Sequence, residues 1–313
     1  MIEKKIYLEG IDPVKLFGIN NKRFDKIVKN FPKIKVVARG DELNIKGEEK
    51  EINLFEETLT LLIDYIQNTY EIDEDYFFAL IDGSAADMQD QQKVLKDVLF
   101  YGNNGRPIRA KTINQKKLVE ESIVNDLIFA IGPAGTGKTY TAIALAVKAL
   151  KFQEVKKIIL TRPAVEAGER LGFLPGDYKE KLDPYLQPLY DALDDMIPSK
   201  KIKTFLEDGT IQIAPLAFMR GRTLDNAFVI LDEAQNTTVN QLKMFLTRMG
   251  KSAKFIVTGD ITQIDLPARN DSGLLKALEL LQDIKGISII YFDSRDIIRH
   301  KLVKYIVEAY KKT

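Results

Sequence analysis

The sequence predicts an α/β fold in which a parallel β-sheet is covered by helices on both faces. Six short apolar segments alternate with helical stretches, an order that is typical of parallel sheets. A glycine-rich turn follows the first of these segments, and a pair of carboxylates follows the fourth. Because the carboxyl ends of parallel strands meet at one edge of a sheet, we expect both features to lie together. The strand candidates are 127–131, 157–161, 211–214, 227–231, 254–257 and 287–292.

The turn after the first strand candidate has the composition of a phosphate-binding loop. Residues 132–139 read GPAGTGKT, which satisfies the pattern G-x-x-x-x-G-K-[ST] between a buried strand and an alanine-rich helix. The glycines allow backbone amides to close around phosphates, the Lys138 ammonium adds a point charge, and the Thr139 hydroxyl completes a Mg²⁺ shell. We therefore expect ATP and Mg²⁺ to bind here. The expected nucleotide contacts are Gly132, Pro133, Ala134, Gly135, Thr136, Gly137, Lys138, Thr139 and Tyr140.

The fourth strand candidate runs directly into Asp232 and Glu233. Beside a phosphate loop, Asp232 would hold Mg²⁺, mainly through water, and Glu233 would orient and deprotonate the attacking water. An apolar run that ends in Asp-Glu also occurs where a strand turns into solvent. The phosphate loop upstream favours the catalytic interpretation.

Two glutamines extend the predicted site. Gln263 follows the fifth strand candidate in the segment TGDITQ, where its amide could contact both the γ-phosphate and the lytic water. An ordinary loop glutamine is the alternative. Gln115 precedes the first strand candidate and a helix, a position from which its amide could read both hydrogen-bonding edges of adenine.

Composition excludes several classes of protein. The 313 residues include no cysteine, which excludes disulfides, thiolate metal sites and cysteine nucleophiles. No apolar stretch approaches the length of a membrane span, and the amino terminus has no hydrophobic signal region. We therefore expect a soluble, cytoplasmic protein without a membrane partner. Because the net charge is only +1, any nucleic-acid contact must be made by a local patch.

Residues 1–70 predict a separate small α/β module. They read as strand, short helix, glycine turn, helix, two strands around a hairpin at Gly40, and a long helix. A glycine turn that feeds a helix resembles the GXXG loop of KH-type RNA-binding modules, although Asn21 stands where the second glycine would be. On the next helix Lys22, Lys26 and Lys29 share one face, which predicts either a track for RNA phosphates or a solvated helix face.

An acidic segment follows this module. Residues 71–92 carry seven carboxylates and no lysine or arginine, which predicts a connector. Residues 94–100 read as a helix end and 101–108 as a turn. We therefore expect a connector and entry segment over 71–104 and an ATPase domain over 105–313.

Taken in order, Gln115, the phosphate loop, the Asp-Glu strand end and the segment GDITQ resemble the nucleotide core of superfamily 1 helicases. With 160–177, 218–224 and 296–300, the sequence is similar to the PhoH-like ATPase family over 105–310. The resemblance implies a single RecA-like core in an RNA-associated ATPase or helicase that remodels RNA or ribonucleoprotein. It also implies links to phosphate starvation and to an endoribonuclease partner in ribosomal RNA maturation.

A single core implies that catalysis needs an additional arginine. Helicases of the resembled superfamily close two cores around one ATP, and an arginine of the second core neutralises charge in the transition state. Here the arginine must come from an extra loop or a neighbouring subunit, which implies a homo-oligomeric ring. The candidates, each of which could equally form a surface salt bridge, are Arg162, Arg220, Arg222 and, first by its place in the family's Arg-His pair, Arg299.

Two alternatives stay open. A P-loop small-molecule kinase also uses a phosphate loop, although such kinases seldom need a water-activating glutamate after the metal-binding aspartate. His300, the only histidine in the chain, either contacts nucleotide or is a packing residue.

Overall fold

The computed structural model describes residues 2–8, 11–69, 72–82, 98–163, 178–267 and 271–298. The chain divides into two compact units, Met1–Arg109 and Ala110–Thr313. Each unit has its own sheets and its own hydrophobic core. Among the described residues, no helix combines the length and the apolar character needed to cross a membrane.

The first unit contains the small α/β module that the sequence predicts for residues 1–70, and its bounds, Met1–Arg109, also take in the segment expected as a connector. Its elements are β1 (Ile2–Tyr7), α1 (Pro13–Phe17), α2 (Lys22–Asn30), β2 (Lys35–Arg39), β3 (Glu42–Gly47), α3 (Glu49–Gln67), α4 (Glu74–Ile81), β4 (Val98–Tyr101) and β5 (Pro107–Arg109). The first three strands form an antiparallel sheet in the order β1-β3-β2. The hairpin between β2 and β3 turns at Gly40, whose φ of 63° is a left-handed conformation that a side chain resists.

The turn between α1 and α2 is left-handed at three of its residues. Gly18, Asn20 and Asn21 have φ values of 75°, 55° and 60°. Asparagine adopts this conformation more readily than most residues with a side chain. Asn21 therefore adopts a left-handed backbone conformation of the kind that glycine favours.

The acidic segment partly folds into α4. The Asp73 carboxylate accepts a hydrogen bond from the Tyr76 backbone N–H at 2.8 Å and caps the helix, and further carboxylates lie in the first turn. Negative charge is favourable there because the free N–H groups of a helix point out of its amino-terminal end. The buried side chains of α4 include Phe77 and Leu80, which belong to the core of this unit. Asp87 and Asp90 lie outside the described residues.

The expected helix end at 94–100 is wrong for the part that the structure describes. Residues 98–101 form β4, which pairs in antiparallel fashion with β5. The sequence Val-Leu-Phe-Tyr explains the difference, because branched and aromatic side chains favour a strand. Tyr101 packs its ring against Tyr65 and Tyr76, with ring centroids 5.0 and 5.8 Å away.

The second unit carries the predicted parallel sheet. Its elements are α5 (Ile113–Val124), β6 (Leu127–Ile131), α6 (Lys138–Lys151), β7 (Lys157–Arg162), α7 (Tyr178–Met196), α8 (Ser199–Glu207), β8 (Ile211–Pro215), β9 (Ala227–Leu231), α9 (Val239–Leu246), β10 (Lys254–Gly259), α10 (Gly273–Leu281) and β11 (Ile287–Tyr291). All neighbouring strands are parallel, in the order β11-β6-β10-β9-β7-β8. The six strand candidates are thereby confirmed.

Helices cover both faces of this sheet, as predicted. Phe129, Val229 and Phe255 point to the face where they pack with Phe245 of α9 and Leu274 of α10. Alternate residues of a strand point to opposite faces, and α6 contacts β7, β9 and β10 from the other face. Residues 127–131 and 227–231 are buried throughout, as expected of central parallel strands.

Candidate functional site

The carboxyl ends of β6, β9 and β10 meet at a cavity of about 240 Å³. This is the edge at which ligands bind in open α/β sheets. Most of the residues that the sequence singles out line it. The lining residues are Ala134, Gly135, Gly137, Lys138, Thr139, Tyr140, Asp232, Glu233, Gly259, Asp260 and Gln263.

The loop between β6 and α6 has a conformation that needs its glycines. Gly135 and Gly137 have φ values of 82° and 77°. A Cβ atom on Gly137 would lie 2.7 Å from the Gln115 Nε2. The Lys138 ammonium donates to the carbonyl oxygens of Gly132 and Pro133 at 2.6 and 2.8 Å, and the residue as a whole is 8% exposed. The loop therefore holds its own cation at the centre of the cradle.

Asp232 is a buried carboxylate held by two hydroxyl groups. Thr139 and Thr258 donate to its Oδ1 at 2.6 and 2.7 Å. The Arg162 Nε lies 3.8 Å from its Oδ2. Thr139 lies in the first turn of α6, Thr258 lies in β10 and Arg162 ends β7, so three elements orient this one side chain.

Glu233 lies immediately beyond the strand in a left-handed conformation, with φ of 55°. The Arg162 Nη2 donates to its Oε1 at 3.0 Å, and the Gln235 Nε2 donates to its Oε2 at 2.6 Å. Arg162 also donates from Nη1 to the Tyr185 carbonyl oxygen at 2.8 Å. A non-glycine residue at positive φ is uncommon and costs energy, and such residues cluster at functional sites.

Gln263 lines the cavity on a turn organised by Asp260. Asp260 is 5% exposed and accepts hydrogen bonds from the Thr262 N–H and hydroxyl through Oδ1. Its Oδ2 accepts from the Gln263 Nε2 at 2.8 Å. The Asp260 N–H donates to the Gln235 Oε1 at 3.0 Å, so Gln235 connects this turn with Glu233.

Gln115 lies beneath the phosphate loop rather than in the cavity lining. It is 4% exposed, and both ends of its amide are engaged. Nε2 donates to the Thr136 carbonyl oxygen at 2.9 Å, and Oε1 accepts from the Lys111 N–H at 2.7 Å. The side chain therefore braces the loop, and contact with adenine stays a prediction.

The carboxyl-terminal segment runs past the same loop. The Ile298 N–H donates to the Gly135 carbonyl oxygen at 3.0 Å. Asp296, 2% exposed, fixes the segment by accepting from the Asn114 Nδ2 at 2.7 Å. Burial alone would raise the pKa of the Asp296 carboxyl, but hydrogen bonds from Asn114, Thr112 and backbone N–H groups hold that pKa below its ordinary value. Arg299 and His300 lie outside the described residues.

The remaining arginine candidates occupy different positions. Arg162 contacts both site carboxylates. Arg222 donates to the Gln212 Oε1 at 2.6 Å, and Arg220 is exposed at the end of the short turn after β8. Neither Arg220 nor Arg222 lines the cavity.

Three residues of the site carry no role in the sequence prediction. Thr258, Gln235 and Asp260 orient the carboxylates or the turn that surround the cavity. A hint is present in the sequence, since Gln235 lies in the short turn after β9, and Thr258 and Asp260 lie at the carboxyl end of β10, before the predicted Gln263. The hydrogen-bond partners of these three residues depend on which strands are neighbours in the sheet. The sequence pattern does not give the order of the strands.

The donor set fits a nucleotide-bound Mg²⁺. Hydroxyl and carboxylate oxygens are suitable ligands, and Mg²⁺ is usually bound through one or two carboxylates together with substrate phosphates. Among the described residues, no group of three or more histidine, cysteine, aspartate or glutamate side chains could hold a metal by itself. The left-handed glycines and the buried Lys138 ammonium in turn suit a phosphate chain.

Comparison with known proteins identifies close relatives. A family model described as PhoH-like protein matches residues 107–311. A PhoH-like protein of Bacillus subtilis is 48% identical over 302 residues, which are 96% of this chain and 94% of the relative. A PhoH-like protein of Synechocystis is 49% identical over 280 residues, 89% and 85% of the two chains. Protein PhoH of Escherichia coli is 46% identical over 206 residues, which are 65% of this chain and 58% of the relative.

Two solved helicase structures show weaker likeness. The UvsW helicase of bacteriophage T4 has a TM-score of 0.38 at 14% identity, over 78% of this chain and 77% of that chain. The Pif1 helicase of Candida albicans has a TM-score of 0.32 at 13% identity, over 64% of this chain and 43% of that chain. Neither likeness is close enough to bear on function.

Proposed function

The chain belongs to the PhoH-like protein family, and from this membership and the site geometry we propose that it binds ATP with Mg²⁺, hydrolyses the ATP and acts on RNA. One observation carries the proposal: the phosphate loop, Asp232, Glu233 and Gln263 line a single cavity. The fold alone does not establish ATP hydrolysis, because proteins with a P-loop fold catalyse several reactions.

Each residue of the cavity has a defined task in hydrolysis. Lys138 exchanges its loop carbonyl partners for oxygens of the β- and γ-phosphates, and Thr139 with Asp232 would hold Mg²⁺. When bound, Mg²⁺ supplies positive charge to the phosphate oxygens. Glu233 orients a water molecule and takes its proton as the water oxygen attacks the γ-phosphorus. The bond to the bridging oxygen breaks, which yields ADP and phosphate.

Glu233 and Gln263 favour hydrolysis over phosphoryl transfer to a small acceptor. A kinase must exclude water from the γ-phosphate, whereas a carboxylate and an amide at this cavity are groups that position water. Gln263 is exposed as well as part of the lining, so it can move between Asp260 and a ligand. This supports an ATPase over the kinase alternative.

The amino-terminal unit supports a role on RNA. Gly18 and Asn21 line a shallow groove of about 290 Å³ together with Phe17, Ala38 and Gly40. KH modules clamp an RNA backbone at a glycine turn of this kind. Ile19, 78% exposed, and Lys22 offer apolar and cationic contacts beside the turn, and the exposed Lys29 adds a cation near the far end of α2. Lys26 is partly engaged, since its ammonium lies 3.5 Å from the centroid of the Phe78 ring.

The remaining parts of the proposal concern the oligomeric state, the cellular compartment and the pathway. We propose that an arginine, with Arg299 as the first candidate, reaches the γ-phosphate across a subunit boundary of a homo-oligomeric ring. The absence of cysteine from the sequence supports work in the reducing cytoplasm. We also propose an endoribonuclease partner in ribosomal RNA maturation, or a role in phosphate starvation, as the sequence resemblance implies.

Phosphate release measured with and without single-stranded RNA tests this function. We expect Mg²⁺-dependent ATP hydrolysis that RNA accelerates, and we expect Lys138→Ala to abolish it because it removes the cation at the phosphates. A small acceptor that takes up the γ-phosphate in place of water would favour the kinase alternative. ATP turnover that RNA leaves unchanged would remove RNA from the proposal.

A further inference from the structure

One face of the antiparallel sheet β1-β3-β2 is open to solvent. Leu43 and Ile45 of the central strand β3 are buried in the core of the first unit. Because side chains alternate along a strand, Asn44 and Lys46 point to the opposite, open face. A groove of about 270 Å³ runs over this face. The residues that line this sheet groove are Glu3, Lys5, Lys35, Val37, Arg39, Glu42, Asn44 and Lys46.

The sheet groove carries a net positive charge, since its cationic side chains outnumber its carboxylates. One carboxylate is already neutralised, because the Lys5 Nζ lies 2.8 Å from the Glu42 Oε1. Within the part of the chain that the structure describes, no ion pair involves Lys35, Arg39 or Lys46. All three are exposed. The groove therefore offers several cations to an anionic ligand.

Two of these cations lie directly opposite each other. Lys35 of β2 pairs with Lys46 of β3 in the antiparallel register. Opposed side chains of antiparallel strands lie about 5 Å apart, and like charges placed there are destabilising. Glu3 lies opposite Lys46 on the other side, but the ion pairs of the described residues do not include it. An anion held between the two ammonium groups removes their repulsion, so the pair suits one phosphate.

Exposed aromatic and apolar side chains accompany the cations. Tyr7 of β1 pairs with Glu42 on the open face and is 56% exposed. Val37 lines the groove and is 40% exposed. Proteins that bind single-stranded nucleic acid combine cations along the backbone with aromatic rings on which bases stack. This combination fits a single strand of RNA better than it fits an apolar protein surface.

The edge strand β2 connects the sheet groove with the glycine turn between α1 and α2. The strand order β1-β3-β2 places β2 at an edge of the sheet. Ala38 and Gly40 line the shallow groove at the glycine turn. Arg39, which lies between them in the chain, lines the sheet groove. The two grooves therefore meet at this edge.

From these observations we propose that the open face of the sheet is a second contact surface for single-stranded RNA, which passes from the glycine turn around the edge of β2. Arg39 contacts one phosphate at the edge, and Lys35 and Lys46 share another. The proposal rests on the proposed function, because it extends the surface that binds the same RNA. It predicts that a long RNA reaches the sheet groove and that a short one fills the turn alone.

The experiment measures RNA affinity of the full-length protein by fluorescence anisotropy, as the slope of log affinity against log salt concentration. The test variant combines Lys35→Gln, Arg39→Gln and Lys46→Gln. With an oligouridine of about twelve nucleotides, we expect the slope to fall by about 1.4, because two phosphate contacts of about 0.7 each are lost. Arg39→Gln alone should lower the slope by about 0.7. With an oligouridine of about four nucleotides, the number that a glycine turn clamps, the slope should not change.

A second triple variant, with Lys4→Gln, Lys33→Gln and Lys50→Gln, is the matched control. These lysines are exposed in the same unit and lie outside the sheet groove, so the variant removes the same charge from other surfaces. Its salt slope should equal that of the parent protein.

Three results would overturn the proposal while RNA binding by the parent protein still supports the proposed function. The first is an unchanged slope of the test variant with the longer RNA. The second is an equal fall in the matched control, which would indicate an effect of net charge. The third is an equal fall with the four-nucleotide RNA, which would place these cations at the turn. A parent protein that binds no RNA overturns both proposals.

Discussion

Thr258→Val is expected to weaken Mg²⁺ binding at this site, and so to raise the Mg²⁺ concentration that ATP hydrolysis requires, by about tenfold. The Thr258 hydroxyl is fully buried and donates to the Asp232 Oδ1 at 2.7 Å. A hydrogen bond to a charged group contributes about 1.5–3 kcal/mol, which corresponds to about 10- to 150-fold in an equilibrium constant. Because Thr139 still donates to the same oxygen at 2.6 Å, we expect the lower end of this range.

The assay is the Mg²⁺ concentration that gives half-maximal ATP hydrolysis at fixed ATP. Thr161→Val is the matched control on β7, which flanks β9 on the side opposite β10. Thr161 is equally buried, and its hydroxyl has no hydrogen-bond partner among the described residues, so its loss should leave the Mg²⁺ requirement unchanged. An equal Mg²⁺ requirement for the two valine variants would refute the reasoning that Thr258 orients Asp232.

Three further predictions follow from other parts of the structure. Asp296→Ala should lower the free energy of unfolding by about 1–3 kcal/mol at neutral pH. Because the folded-state pKa of Asp296 is lowered, this loss should shrink as pH falls below about 4, as followed by denaturant unfolding. Reversal of Lys22 and Lys29 to glutamate should reduce the salt slope of RNA affinity by about 1.4, since each single-strand phosphate contact contributes about 0.7. A mixture of Glu233→Gln and Arg299→Ala should regain ATPase activity after subunit exchange, if Arg299 acts across a subunit boundary.

Each of these predictions has a control or a contradicting outcome. Glu279→Ala, at an exposed position, is the control for Asp296→Ala. It should not lower the free energy of unfolding comparably near neutral pH. Reversal of the exposed Lys200 and Lys203 on α8 to glutamate is the control, and it should leave the salt slope of RNA affinity unchanged. An unchanged slope after reversal of Lys22 and Lys29 would indicate that their helix face is merely solvated. A mixture as inactive as its parents would assign Arg299 to its own subunit or to a structural role.

The elements that the sequence predicts best are those with a strong local pattern. The strand at 127–131 is apolar without interruption, and the loop after it matches a complete phosphate-binding pattern. The first unit is similarly readable, because Gly18 and Gly40 mark its turns. The strand at 98–101 is misread, because a short apolar run does not distinguish a strand from a helix end by periodicity.

The contacts within the site depend on the spatial order of the strands, which a local pattern does not contain. Arg162 and Glu233 meet because β7 lies beside β9, although they are 71 positions apart in the chain. Gln115 is predicted to read adenine, and in the structure its amide is engaged by the Thr136 carbonyl oxygen and the Lys111 N–H. Side-chain partners of this kind follow only from the fold.

A comparison of Glu233→Gln with the parent protein in a single turnover of ATP tests the central claim most directly. Phosphate release and nucleotide binding are measured on the same preparations. We expect Glu233→Gln to bind nucleotide at least as tightly as the parent protein and to release phosphate about 10²–10⁴-fold more slowly, because only the proton acceptor is lost. Phosphate release by Glu233→Gln at nearly the parent rate would contradict the assignment of Glu233 as the base, and with it the account of this cavity as an ATP-hydrolysing site.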